Sequence, residues 1–182
     1  MNGGRGQSPA PTGREKTVYT RRKLRTRKIV RLAAASYRGS GMYFVTICTY
    51  LHQPLLGRFE NNQMILTESG HQVSECWSRL GQIYPDIVPG SYVVMPNHFR
   101  GVLSIVKTND GANACMLDLV QVIRNFKAYT ARQHYLLGVQ RKLWQRSFFE
   151  RVVRDEYDRR RIERYIKSNQ KNWIKDKYYL TN

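Results

Sequence analysis

Two short stretches carry residue types suited to chemistry. Met95-Pro96-Asn97-His98-Phe99-Arg100 places an imidazole at the end of an apolar run, and Tyr165-Ile166-Lys167-Ser168-Asn169 places a phenol and an amide four residues apart. On a helix, residues four apart project side by side. A metal ligand, a tyrosine nucleophile and a polar partner are parts for cutting a phosphodiester. Each part also has a plainer reading. Tyr165 and Asn169 belong to a stripe with Ile162, Ile166 and Trp173 that would dock any helix, and His98 could be a satisfied structural histidine. No Walker loop or G-x-G-x-x-G occurs, which argues against a nucleotide-binding enzyme. His52, His71 and His134 lack comparable company.

The charge narrows the field. The 182 residues carry a formal net charge of +18, which points to a polyanion, most often nucleic acid. Residues 1–38 hold eleven Lys/Arg against one acid, Glu15, a net +10. Within that arm, Arg21, Arg22, Lys23, Arg25, Arg27 and Lys28 form a dense run suited to a phosphate backbone. An Arg-rich, acid-poor start also resembles an organelle transit peptide. The three cysteines, Cys48, Cys76 and Cys115, form no C-x-x-C and no even framework, which fits a reducing cytoplasm. No apolar run reaches the roughly 18 to 20 residues of a membrane span.

The elements that must position these residues follow from local pattern. Residues 1–36 read as a largely disordered basic arm, 37–175 as the folded domain and 176–182 as a tail. Met42 to Tyr50 is β-branched and aromatic and reads as a buried strand. Leu55 to Leu66 reads as a hairpin turning at Asn61-Asn62. Thr67 caps a helix running to about Tyr84, and Pro85 and Pro89-Gly90 punctuate. Ser91–Met95 and Phe99–Val106 read as strands, followed by a polar loop at 108–112. Met116–Leu137 reads as a helix, Trp144–Val153 as a strand and residues 155–173 as the last helix. The order implies an α+β fold: a ferredoxin-like, split βαβ antiparallel sheet with helices on one face and an added C-terminal helix carrying the tyrosine.

Five segments give a resemblance: Tyr43–Thr49, Val93–His98, Ile123–Lys127, Trp144–Glu150 and Arg164–Asn169. In this order they resemble the REP-associated tyrosine transposases, in the insertion-sequence-200-like branch of the HUH single-strand nucleases. The resemblance implies that Tyr165 attacks single-stranded DNA, keeping the 5′-phosphate on its oxygen and freeing a 3′-hydroxyl. It assigns His98 and Asn169 to a divalent ion, Mg²⁺ or Mn²⁺. It gives the basic arm, Arg124, Lys127 and Trp144 to a DNA hairpin and its flanking strand. It further implies a homodimer and a cytoplasmic, nucleoid-associated bacterial protein acting in DNA transposition.

The chain departs from that pattern in two places. The resemblance calls for His-apolar-His at 98–100, and the third position is Arg100, which stays protonated and cannot ligate a metal. A tyrosine pair, Glu and histidine are expected on the fourth strand, where Phe148, Phe149, Glu150 and Arg151 stand. The leading expectation is therefore a hairpin-binding transposase-like protein with metal-assisted nicking weakened by Arg100. The alternative is an inactive DNA-binding regulator on the same fold, and a third reading is a basic RNA-binding module. Arg100 could also grip the scissile phosphate in place of the ion.

Overall fold

The computed structural model describes residues 40–106 and 118–179. The basic arm, with Arg21, Arg22, Lys23, Arg25, Arg27 and Lys28, and the 108–112 loop lie outside the described residues, as does Cys115. Every strand and helix named below belongs to one unit, Ile29–Leu180.

Four strands make one antiparallel sheet: β1 (Gly41–Cys48), β4 (Ile87–Met95), β5 (His98–Ile105) and β6 (Phe149–Val153), in the order β4-β5-β1-β6. The hairpin β2 (Gly57–Glu60) and β3 (Gln63–Leu66) stands as a separate two-stranded sheet. Its turn residues, Asn61 and Asn62, both take positive φ, at 49° and 62°. That is the backbone a two-residue hairpin turn requires and asparagine tolerates. The main helices are α1 (Glu68–Ser78), α3 (Leu119–Leu136) and α4 (Glu156–Ser168), with a single turn, α2 (Leu80–Ile83), after the first. With the hairpin set aside, the connectivity is the expected split βαβ arrangement.

Alternation along the strands sorts side chains to two faces. Tyr43, Val45, Ile47, Phe99 and Leu103 join Trp77 of α1 and Phe126 of α3 in the larger core. Met42, Phe44, Val93, Met95 and Val102 meet Ile162 and Ile166 of α4 in a second core. The two helices of the split βαβ core, α1 and α3, share one face as expected, and the added helix α4, which the sequence left unplaced, covers the other.

Several boundaries also move. β4 runs straight through Pro89-Gly90 with a register shift between Pro89 and Tyr92, because an edge strand tolerates proline's missing N–H. The first helix breaks at Arg79. α3 begins later than read, behind Asp118, whose carboxylate accepts from Gln121 N at 2.7 Å in a capping box. The fourth strand starts only at Phe149; before it, an isolated bridge between Thr49 and Trp144 and two backbone hydrogen bonds, Tyr50 N to Leu143 O at 2.8 Å and Gln145 N to Cys48 O at 3.0 Å, tie the stretch to the end of β1. The last helix ends at Ser168, and Trp173–Lys175 is a separate 3₁₀ turn.

Gly101 of β5 lies against Trp77 of α1 in the larger core. A Cβ there would lie 2.6 Å from the indole of Trp77, which is fully buried. Gly101→Ala should therefore overpack this contact and cost about 1–3 kcal/mol, read as a lower urea midpoint at unchanged slope. A midpoint equal to that of the native chain would show that Trp77 has room to move.

Candidate functional site

The site forms where β5 passes under α4 and the segment after it. His98 and Arg100 sit two residues apart and so share a face of β5. Register aligns Val93, Arg100, Thr46 and Phe149 across the sheet, and Met95, His98 and Cys48 in the next row. On α4, Asp155 caps the N-terminus by accepting from Asp158 N at 2.7 Å. Burial of Ile162 and Ile166 then sets the rotation of the helix. Tyr165 is left 43% exposed, while Asn169, at the C-cap, is 3% exposed.

Arg100 is the centre of the arrangement. It is 1% exposed. Its Nη1 donates to Asn169 Oδ1 at 2.8 Å and to Asp176 Oδ2 at 2.6 Å, and its Nη2 to Asp176 Oδ1 at 3.3 Å. The guanidinium carbon lies 5.1 Å from the Tyr165 ring centroid and 5.5 Å from that of Tyr178, within cation–π range. Tyr165 in turn meets Phe44 edge-on at 6.2 Å. So the sheet and the last helix do come together, and Arg100 is the residue that joins them.

His98 is fully buried. Asn97 Nδ2 donates to the backbone oxygen of Tyr178 at 2.7 Å, so its Oδ1 is the atom facing His98 Nδ1, at 2.9 Å. That contact puts the proton on Nδ1 and the lone pair on Nε2. Nε2 is buried without a hydrogen-bond partner, and so is Nδ1 of His52. Tyr178 stacks on His52 at 5.1 Å and tilts against His98 at 4.9 Å, and Trp173 lies 6.0 Å from His98. Leu51 and His52 adopt left-handed backbone, φ 54° and 55°, a costly state for such residues. Cys48, paired with His98 across the strands, shares a hydrogen bond with Tyr178; burial lifts the Cys48 thiol to about 11 and raises the Tyr178 phenol as well.

Three sequence expectations change here. Residues 176–182 are not simply a tail, since Asp176 and Tyr178 close the site. Trp144, assigned to base stacking, is 3% exposed, and its Nε1 donates to Thr130 Oγ1 at 2.9 Å; it is a core residue with no free face. Lys127, assigned to phosphate, gives its amine to the backbone oxygens of Gln145, Arg146 and Ser147 at 2.7, 3.0 and 3.3 Å, fastening the segment that leads into β6. Arg124, assigned to the DNA hairpin and its flanking strand, is exposed. Asp176, which sequence reasoning passed over, had one signal: it is the lone acid in the otherwise basic stretch from Lys167 to Lys177.

The donors do not fit a divalent ion. Asn169 Oδ1 and Asp176 Oδ2 both accept from one guanidinium nitrogen, so a cation already stands where they converge. Among the described residues no three His, Cys, Asp or Glu side chains gather as metal ligands. Tyr165 instead borders a cleft of about 450 Å³ with Phe44, Thr46, Phe149, Glu150, Arg151, Arg161 and Ile162. No histidine lines it.

No family model matches the chain. It is 30% identical over 172 residues to an uncharacterized protein of Haemophilus influenzae, covering 85% of this chain and 93% of that one. Among solved structures, a REP-associated tyrosine transposase bound to a REP hairpin superimposes with a TM-score of 0.52 at 18% identity, over 76% of this chain and 70% of that one. At that identity the likeness is one of fold. Among the described residues no helix is long and apolar enough to cross a membrane.

Burial holds His98 well below the ordinary histidine range, with Arg100, His52 and Lys177 adding to the effect, and burial lowers His52 too. The unfolded chain therefore takes up protons first. The stability these groups contribute is complete above their unfolded pKa of about 6.5 and is lost as pH falls toward their folded values. Urea unfolding should show stability falling below about pH 6.5 by up to roughly 1.4 kcal/mol per pH unit for each histidine involved. His98→Gln should flatten that slope, and an unchanged slope would remove His98 from the account.

Proposed function

The chain belongs to one family with the Haemophilus influenzae protein and has the fold of a REP-associated tyrosine transposase, and from that premise we propose that it holds hairpin or single-stranded DNA without metal-assisted cutting. The observation that carries the reading is an exposed run of cations along α3 and the segment after it, free of acidic residues. On α4, Arg159 pairs with Glu156 and Glu163, Arg160 with Glu156, and Arg161 with Asp158, which Arg151 also meets from β6. These four cations are largely neutralised within the chain, whereas Arg154, Arg164, Lys167, Lys171 and Lys175 lie exposed near them with no ion pair among the described residues.

The α3 side adds a run of its own. From Leu119 to Phe149 there is no Asp or Glu, and Arg124, Arg132, Arg141, Lys142 and Arg146 all lie exposed. Among the described residues none of these five meets a carboxylate in an ion pair. They run along α3 and the segment after it, with Tyr50 under the ammonium of Lys142 at 5.3 Å. Spaced cations with an aromatic beside them suit a phosphate backbone and its bases. The hairpin in the structural neighbour supports DNA as the partner.

Strand cutting is the weaker part. Tyr165 keeps an exposed phenol, but the donors near it are taken up by Arg100. For Arg100 to grip a phosphate, it would first have to leave Asp176. The inactive, DNA-holding reading is therefore preferred over metal-assisted nicking weakened by Arg100.

Binding is tested by fluorescence anisotropy on a labelled DNA hairpin with a single-stranded flank, over a salt series. Replacing Arg124, Arg141, Lys142 and Arg146 together by Gln should reduce the log–log salt slope by about 3 and weaken binding at least tenfold, while Tyr165→Phe leaves affinity unchanged. No covalent Tyr165 adduct should form with Mg²⁺ or Mn²⁺. A flat salt response, or an RNA hairpin outcompeting DNA of equal sequence, would sink the DNA reading. A Tyr165-dependent adduct would restore the nuclease.

A further inference from the structure

We infer that Arg100 is an internal cation standing at a latent metal site, so that this chain locks its C-terminal segment to the sheet with its own guanidinium and needs no ion to do so. Two oxygens from separate parts of the chain, Asn169 Oδ1 and Asp176 Oδ2, lie 2.8 and 2.6 Å from one nitrogen of that guanidinium. Groups that share one donor atom can both reach a single bound charge. The side chains of Arg100 and Asp176 are 2% and 4% exposed, so the charge is fixed in place and shielded from solvent ions.

A third donor waits beside them. His98 lies on the same strand face, and its Nε2 carries a buried lone pair with no hydrogen-bond partner. A lone pair so placed fits the ligand atom of a histidine whose other nitrogen is held by a second residue, here Asn97 Oδ1 at 2.9 Å. What keeps a metal out is the positive charge of Arg100 itself. Removing that charge leaves a carboxylate and an amide oxygen converging on one point, with an imidazole two residues along the same strand face, a set suited to Mn²⁺.

The consequence for the native protein is structural. Asp176 lies seven residues beyond Asn169, and between them only Trp173–Lys175 is helical. Arg100 is what holds this short segment over His98. The ring contacts of Trp173 with Phe59 at 5.9 Å and of Tyr178 with His52 at 5.1 Å complete a cover that depends on the ion pair beneath it.

The test uses the full chain and is independent of DNA, so its failure is separable from failure of the DNA-holding reading. Thermal melts are run in chelator and in millimolar MnCl₂, and bound Mn²⁺ is counted by electron paramagnetic resonance. The native chain should melt at one temperature in both and bind no ion. Arg100→His puts a second imidazole two residues from His98. It should lower Tm in chelator by roughly 10 °C, regain at least half of that in Mn²⁺ and bind one ion. Adding Asp176→Asn should abolish the regain. A saturable Mn²⁺ shift in the native chain, or an Arg100→His variant indifferent to Mn²⁺, would overturn the inference. If Arg100→His gives no soluble protein, Arg100→Lys and Arg100→Gln decide. Lys should keep more of the native Tm than Gln, and equal losses would show that charge at this position is not what matters.

Discussion

A buried guanidinium must be answered, and the arrangement under α4 is organised by that need. Taking a cation and a carboxylate out of water costs several kcal/mol for each ion, recovered only where geometry is good and the remaining hydrogen-bonding groups are satisfied. Arg100 meets the condition by holding Asp176 through both nitrogens and Asn169 through one. Two aromatic faces, Tyr165 and Tyr178, lie against it. The end of α4, the turn after it and the central strand β5 thus share one partner. Without Asp176 the guanidinium would be left charged and under-paired; without Arg100 the carboxylate would be.

This arrangement explains why the phenol and the imidazole do not share an open pocket. Arg100 lies under Tyr165, and His98 lies beyond it beneath Tyr178 and Trp173. The phenol opens instead onto a cleft floored by Phe44 and Ile162. The strands and helices share the fold of a REP-associated tyrosine transposase, and the interior of the site is organised around a permanent charge.

Much of the frame was legible. β1 and β5 announce themselves by β-branched and aromatic content, the Asn61-Asn62 turn by its residue types, and the Tyr165–Asn169 pairing by helical spacing. Other features depend on tertiary context that local pattern does not carry. The resemblance gives Trp144 to base stacking, and only its burial against Phe126 and the reach of its Nε1 to Thr130 show it to be core. Lys127 is one more cation in a basic stretch until three carbonyl oxygens converge on its amine. Pro89-Gly90 looks like a stop because nothing local tells an edge strand from a central one. Asp176 follows no apolar period, so its role appears only when β5 is laid beneath it.

The exposed cations that meet no carboxylate have an effect at long range. Neutralised pairs cancel a few ångströms away, whereas unmatched cations set the outer field. Arg124, Arg132, Arg141, Lys142 and Arg146 do so from α3 and the segment after it, and Arg164, Lys167, Lys171 and Lys175 from α4 and the turn beyond it. A polyanion would therefore be drawn toward either side of the sheet before any contact forms.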